Sequence, residues 1–236
     1  SQLRTQSDSP WEIDGGVRLE YTHYDYNNKT ADGAPCGPAA TNCRFYRPSD
    51  REDSFTDWSL NAGVSYSLKE NHIDYLRLAR GFRAPQATEL YRLQGGQEMA
   101  NLNSEKIDNI ELGLRGDWMG TTRYDVAVYY MHKDDVIFQD ANRYNVSGAQ
   151  TRHYGAELSV DYPINDSWSV GIDANVAHHT YDSNIELLGS SGNIRGNDID
   201  TAPKAFGSAR LDWDFSTLAG RSSRAELEWV YMDSYY

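Results

Sequence analysis

No apolar run in these 236 residues approaches the roughly 20 that a membrane-spanning helix needs. A helical membrane protein is thereby excluded. No charged-then-apolar segment opens the chain either, so it reads as a mature protein or a fragment. Basic residues are scarce, 22 Lys and Arg against 35 Asp and Glu, giving a net charge of -13. Phosphate neutralisation needs clustered Lys and Arg, and without such a stripe nucleic acid is not a partner. Cysteine is nearly absent: Cys36 and Cys43 share one Gly- and Pro-rich connection with no histidine beside them. That argues against zinc and suits a small disulfide-closed loop in an oxidising compartment, with two free thiols as the alternative. No Gly-x-Ser-x-Gly element marks a hydrolase nucleophile.

Tyrosine and tryptophan are abundant, 17 and 6 residues against 6 Phe, although the mean hydropathy is only -0.72. Rings with one apolar and one polar end suit a boundary between oil and water, as at the two faces of a bilayer. The apolar residues are arranged with a period of two, which places them on one face of a strand. Trp58, Leu60, Ala62, Val64, Tyr66 and Leu68 alternate with Ser59, Asn61, Gly63, Ser65 and Ser67. Ile110, Leu112 and Leu114 alternate with Glu111, Gly113 and Arg115, and Trp168, Val170, Ile172, Ala174 and Val176 with Ser169, Gly171, Asp173 and Asn175. Similar segments begin near Gly15, Tyr75, Tyr124, Ala156, Gly207 and Ala225, and the one from Tyr124 continues to Phe138 through a bulge near Asp134-Asp135. Residues 1–13 give no clear pattern.

About nine antiparallel strands result, and the connections between them alternate in length. Long connections are expected at 27–56, 83–106, 139–150 and 182–203, and short turns near 69–72, 119–122 and 163–166. Such sorting gathers every long loop at one end of the sheet, as in transmembrane barrels, whose weak per-segment hydropathy also fits this composition. Trp58, Trp118, Trp168 and Trp213 stand at strand ends, where an interfacial girdle would place them. The competing reading is a soluble antiparallel sheet with one wet face and an internal core.

With these segments laid out, the chain resembles the C-terminal half of the barrel of a TonB-dependent outer-membrane receptor. Arg80-Gly81-Phe82-Arg83-Ala84-Pro85 followed by Glu89-Leu90-Tyr91 is similar to that family's strand-end motif. Leu102-Asn103-Ser104-Glu105-Lys106 with Glu111-Leu112-Gly113 resembles the segment that re-enters the barrel, although Ser104 stands where the family more often has Pro. Tyr154-Gly155-Ala156-Glu157-Leu158 and Ala202-Pro203-Lys204 fall where similar receptors start strands. The resemblance implies an all-β, up-and-down transmembrane β-barrel segment, incomplete because such barrels have about 22 strands. It also implies that a plug domain and an energy-coupling segment lie elsewhere in the protein. Although Tyr236 is aromatic, Ser234 breaks the closing alternation, so the chain is expected to lack its last strands as well. Open edges would favour aggregation of the piece alone.

The function that follows from the resemblance is uptake of a scarce nutrient across a Gram-negative outer membrane. A ferric siderophore is the foremost ligand, with cobalamin, haem, another metal chelate or a sugar as alternatives within the family. The expected partners are the chelate, outer-membrane lipid, and the TonB system acting through the plug; no cofactor and no enzymatic activity are expected. Arg83, Tyr91, Arg92, Arg143 and Tyr144 stand in the long loops, where cations and aromatic rings can hold an anionic chelate. Glu111, Arg115, Asp117, Glu157, Asp161 and Asp173 face the interior, paired with a plug, lining a water path or simply solvated. The adjacent His178 and His179 face opposite sides of a strand, and no metal site is expected. Asn197-Asp198-Ile199-Asp200 lacks the ligand pattern of an EF-hand. An outer-membrane hydrolase would need His153 to meet Asp140, and a soluble ligand-binding β protein is the other competing class.

Overall fold

The computed structural model describes residues 2–4, 9–29, 45–69, 71–184, 193–200, 202–216 and 222–234. Cys36 and Cys43, with the disulfide expected between them, lie outside the described residues. In chain order the elements are β1 (Gln2–Arg4), β2 (Trp11–Tyr26), β3 (Phe45–Tyr46), β4 (Arg51–Lys69), β5 (His72–Arg83), α1 (Ala87–Tyr91) and β6 (Leu93–Gln94). After them come β7 (Glu105–Trp118), β8 (Thr122–Gln139), β9 (Asn145–Pro163), β10 (Trp168–Tyr181), β11 (Ala205–Ser216) and β12 (Ser222–Met232). Ten strands form one antiparallel sheet in the order β1-β2-β4-β5-β7-β8-β9-β10-β11-β12, while β3 and β6 pair separately. The sheet does not close, and β1 and β12 are its edges. Among the described residues no helix is long and apolar enough to cross a membrane, which says nothing against crossing by strands.

The alternating faces survive intact in the register. Leu112 stands opposite Leu76 and Val128, Ile110 opposite Leu78 and Tyr130, and Leu158 opposite Val126 and Ala174. One apolar face thus runs across the sheet, and nothing among the described residues covers it: Leu112, Val128 and Leu227 are 57%, 50% and 70% exposed. A soluble sheet would bury this face in a core, since large contiguous apolar surface in water is unfavourable. Among the described residues the large buried apolar side chains gather mainly at the loop end, in a cluster of Leu90, Tyr91, Leu93, Ala100 and Leu102. Among the described residues the internal core required by the soluble reading is therefore not there. Aromatic residues mark both ends of the uncovered band. Trp168 stacks on Trp213 at 5.3 Å and Trp11 lies 4.6 Å from Tyr66 toward the short turns, while Trp58 lies toward the loops under the Arg80 guanidinium.

The strands run further than the sequence pattern indicates. β2 begins at Trp11 rather than Gly15, because Trp11 and Ile13 continue the apolar face opposite Tyr66 and Val64. Gly15 takes the next outward position without a side chain, which hid the alternation. β4 begins at Arg51, inside the loop expected over 27–56, because both faces of 51–57 are largely polar there. β8 and β9 rise together until only 140–144 connects them, so 139–150 is mostly a tall hairpin. The bulge expected near Asp134-Asp135 is present: the register shifts between Lys133 and Val136, and Asp135 has φ 55°.

The opposite face is polar and borders a trough of about 980 Å³ lined by Tyr75, Arg115, Asp125, Glu157, Asp161 and Asp173 among others. Long inner side chains lie flat along the wall over small neighbours. Tyr75 stands opposite Gly113, where a Cβ would meet its ring at 2.3 Å, and Arg77 and Arg115 flank the same ring at 5.3 and 5.6 Å. Tyr129 covers Gly155 in the same way. Gly113→Ala is accordingly expected to destabilise the folded receptor by about 1–3 kcal/mol through overpacking. Chemical unfolding checks this, and most of the cost should vanish in a Tyr75→Ala background because the two sites are coupled.

Candidate functional site

The connection from Ala84 to Ser104 folds back onto the inner face at the loop end of the sheet and is tied down at nearly every turn. Gln86 caps the start of α1, and its amide donates to Glu89 Oε2 at 2.7 Å, satisfying one of the free amides at the helix start. Glu89 also receives a two-pronged contact from Arg83, at 2.9 and 3.1 Å. Arg83 Nε donates to Glu105 Oε2 at 2.7 Å, and the other oxygen of Glu105 accepts the Ile137 amide at 2.8 Å. One guanidinium thus links α1, β5 and β7, and through Glu105 reaches β8.

Leu90, Tyr91, Leu93, Ala100 and Leu102 pack against Tyr24, Tyr26, Tyr46, Phe55 and Ile137. Tyr91 is 5% exposed, stacks on Tyr26 at 4.3 Å and meets Tyr24 edge-on. Its hydroxyl donates to Asp53 Oδ2 at 2.8 Å, and Asp53 is also held by Arg51. Burial first, and then this bond to a carboxylate, push the Tyr91 phenol above its ordinary range. Ser104 donates to Asp57 at 2.6 Å with both residues buried, and Tyr24 donates to the Pro85 carbonyl at 3.0 Å.

A second set of contacts joins this connection to the β8–β9 turn. Gln97 and Asn145 exchange two bonds, Gln97 Nε2 to the Asn145 carbonyl at 2.8 Å and the Asn145 amide to Gln97 Oε1 at 2.9 Å. Asn145 Nδ2 also donates to the Glu89 carbonyl at 2.9 Å, and the Asn103 amide donates to Ser147 Oγ at 3.0 Å. The turn itself is organised by Asp140, which accepts the amides of Asn142 and Tyr144 on its side chain and of Arg143 on its carbonyl.

The five loop residues singled out in the sequence therefore occupy two kinds of place. Arg83 and Tyr91 are engaged within the folded rim. Arg92 is exposed, with its guanidinium 4.0 Å over the Phe45 ring, and Arg143 is exposed on the turn with φ 66°. Tyr144 reaches across to Gly96, where a Cβ would stand 2.7 Å from its hydroxyl. The structure thus joins the segments carrying Arg92 and Tyr144 into one rim. Sequence reading missed Tyr24, Tyr26 and Phe55; the available signal was a run of aromatic residues appearing on an otherwise polar face near the strand ends.

Nearer the short turns, polar side chains pair along the inner face. Arg210 bonds Asp161 at 2.8 Å and Asp212 at 3.0 Å, Arg224 bonds Asp212 at 2.7 Å, Asn175 bonds Glu157 at 2.9 Å, and Ser159 bonds Asp173 at 2.7 Å. His153 and Asp140 do not meet: Asp140 shapes its own turn, while His153 bonds Thr151 and His179. The hydrolase pairing thus fails on geometry. Among the described residues no group of three or more His, Cys, Asp or Glu side chains converges on a metal position.

The 193–200 segment crosses the end of β10. The Gly196 amide donates to the Tyr181 carbonyl at 2.8 Å and the Ile199 amide to the His179 carbonyl at 3.0 Å. Lys204 at 2.7 Å holds the Asp198 carboxyl below the usual range, and a hydrogen bond from Arg152, then the charge of Arg195, do the same for Asp182. Depressed carboxyls stabilise docking above their unfolded pKa near 3.9, and that contribution disappears as pH falls through the folded values. Hydrogen exchange, corrected for intrinsic rates, is expected to find Gly196 and Ile199 protected from pH 7 to about 4 and progressively less protected as the pH falls further through the depressed folded values.

Compared with known proteins, the whole chain, residues 1–236, matches the family described as TonB dependent receptor-like, beta-barrel. The ferric aerobactin receptor of Escherichia coli is 26% identical over 225 residues, covering 85% of this chain and 29% of that protein. The ferric aerobactin receptor of Klebsiella pneumoniae is 25% identical over 227 residues with the same coverage. The chain therefore spans less than a third of the length of these relatives. Among solved structures, the ferric yersiniabactin uptake receptor FyuA of Yersinia pestis superposes with a TM-score of 0.71 at 19% identity, over 96% of this chain and 32% of that one. This last likeness concerns the fold.

Proposed function

The chain belongs to the TonB dependent receptor-like β-barrel family, and from that premise we propose that it is one stretch of the wall of an outer-membrane receptor that takes up a ferric siderophore. The sheet sits in the outer membrane of a Gram-negative bacterium with its uncovered apolar face against lipid. Its long connections face the exterior and its short turns the periplasm. Ferric aerobactin, named for the two curated relatives, is the first chelate to consider. The protein catalyses no covalent step.

The observation that carries this reading is the rim. A preorganised assembly at the loop end of the polar inner face presents the exposed cations Arg92 and Arg143, suited to an anionic chelate. Arg83 and Tyr91 support that assembly from behind, and Tyr144 braces it against Gly96. A site that captures a scarce ligand tightly does not empty itself, so release requires external work, which the TonB system supplies through a plug.

Uptake of labelled ferric chelates by cells with and without the gene tests the proposal. Uptake is expected to disappear on deletion and return with the full-length receptor. Arg92→Ala and Arg143→Ala should each weaken chelate binding roughly three- to fivefold, given about 0.7–1 kcal/mol per exposed charged contact. Deletion that leaves uptake of every ferric chelate unchanged would refute the assignment.

A further inference from the structure

We propose that Gln97 is a positioning residue for the capture site: its carboxamide clamps the tip of the β8–β9 hairpin and so fixes where Arg143 stands relative to Arg92. The consequence for binding rests on the chelate reading, while the clamp itself rests on geometry. Gln97 is a polar side chain only 6% exposed, and both ends of its carboxamide engage one residue. Its Nε2 donates to the Asn145 carbonyl at 2.8 Å, and its Oε1 accepts the Asn145 amide at 2.9 Å.

Asn145 needs such a partner because, among the described residues, no strand supplies one. The Asp140 amide donates to the Tyr144 carbonyl at 3.0 Å, so in the alternating antiparallel pattern the next residue, Asn145, points its own amide and carbonyl away from β8. β10 lies on that side, yet it pairs with β9 only as far as Thr151. The Gln97 carboxamide bonds this open edge as a neighbouring peptide would. Nor does the hairpin set the position of its own tip. Below Asn145 the β8–β9 ladder shifts register twice, between Lys133 and Val136 and between Val136 and Phe138. Bulges bend a strand and interrupt its ladder, so the top of this hairpin takes its tilt from what it leans on.

The support is firm. Gln97 closes a tight turn, its own amide donating to the Gln94 carbonyl at 3.0 Å, and Gly96 takes the third position of that turn with φ 97°, a conformation open to glycine. The Tyr144 hydroxyl sits against the same turn, 2.7 Å from where a Cβ of residue 96 would stand. Behind the turn, Leu93 is fully buried in the rim cluster, and the Glu89 carbonyl of α1 accepts Asn145 Nδ2 at 2.9 Å. Arg143 directly precedes the clamped pair Tyr144 and Asn145, so its direction follows theirs. Arg92 belongs to the supporting connection, next to Leu93. The clamp thus ties the backbones of both cations into one frame, which spares a chelate the cost of ordering them.

Spin labels at Arg92→Cys and Arg143→Cys, in full-length receptor in detergent with Cys36 and Cys43 replaced by serine, report the clamp without any chelate. Double electron–electron resonance is expected to find one narrow distance distribution. Gln97→Ala should broaden it, and so should Gln97→Glu, which keeps the volume but, ionised, cannot donate to the Asn145 carbonyl. Titration of the unlabelled receptor with ferric aerobactin is the second readout. Gln97→Ala should weaken binding by up to the roughly three- to fivefold expected for Arg143→Ala. The same loss should appear in an Arg92→Ala background and vanish in an Arg143→Ala background, because Gln97 acts through Arg143. A general loosening of the rim would cost the same in every background. Heat-modifiability gels establish that each variant is folded. The proposal is overturned by a narrow distribution in Gln97→Ala or Gln97→Glu, or by an undiminished loss in the Arg143→Ala background. Failure of the wild type to bind ferric aerobactin would count against that chelate, and the label distances would still decide the clamp.

Discussion

Tyr91→Ala is expected to release the 84–104 connection from the inner face, at a cost of about 3–5 kcal/mol for deleting a buried aromatic side chain. Tyr91 stacks on Tyr26, meets Tyr24 edge-on and is 5% exposed, so its removal leaves a hole in the centre of the rim. The connection is long and has little regular structure of its own, so this loss is local: the rim opens before the sheet does. Limited proteolysis and hydrogen exchange within 84–104 should rise sharply while exchange in β7 and β8 changes little. Tyr91→Phe separates packing from hydrogen bonding. It keeps the ring and leaves Asp53 with Arg51, so it should cost only about 1 kcal/mol. If Tyr91 touched the chelate directly through its hydroxyl, Tyr91→Phe would lose affinity while keeping the rim closed. The packing described above predicts near-normal affinity in Tyr91→Phe and loss only in Tyr91→Ala.

The second large effect is on the outer face. Leu112→Arg and Val128→Arg should each destabilise the folded receptor by about 2–4 kcal/mol, the cost of a cation near the middle of the bilayer on the lipid side of a barrel. These two residues are cross-strand partners with apolar neighbours on both sides, far from the aromatic ends of the band. Ser65→Arg, on the polar face opposite Glu12 and Tyr75, should cost far less, since the new guanidinium meets a carboxylate and water. Reversible unfolding of the full-length receptor in lipid vesicles measures the difference. A soluble fold would rank the substitutions by packing alone and would not separate the two faces.

The sheet was legible because a transmembrane barrel writes its two solvents into alternate residues. Trp58 to Leu68 and Trp168 to Val176 could be assigned from that alternation, and a bulge near Asp134-Asp135 was indicated. Legibility failed where that contrast fades. At Arg51–Asp57 the strand has climbed beyond the apolar band, so both faces are largely polar and the segment reads as loop. At Asp14-Gly15-Gly16 an outward position holds no side chain. The rim was hidden for another reason: Leu90, Leu93, Ala100 and Leu102 follow no period, because an irregular connection brings them together around aromatic residues from distant strands. Tyr91 was read as a loop residue that contacts the chelate, whereas its place inside that cluster depends on the backbone path. The His153–His179 contact depends on strand register, which pairs residues 26 apart and cannot be read from the adjacency of His178 and His179.

The most direct test is the environment of single labels in the intact outer membrane. In full-length receptor with Cys36 and Cys43 replaced by serine, a spin label is attached at Leu112→Cys or Ser65→Cys, and its collisions with oxygen and with a water-soluble nickel complex are compared. The label at 112 should favour oxygen, as in hydrocarbon, and the label at 65 should favour the nickel complex, as in a polar interior. Equal access of the nickel complex to both labels, or recovery of the labelled protein in a soluble fraction, would contradict a barrel wall with lipid on its apolar face.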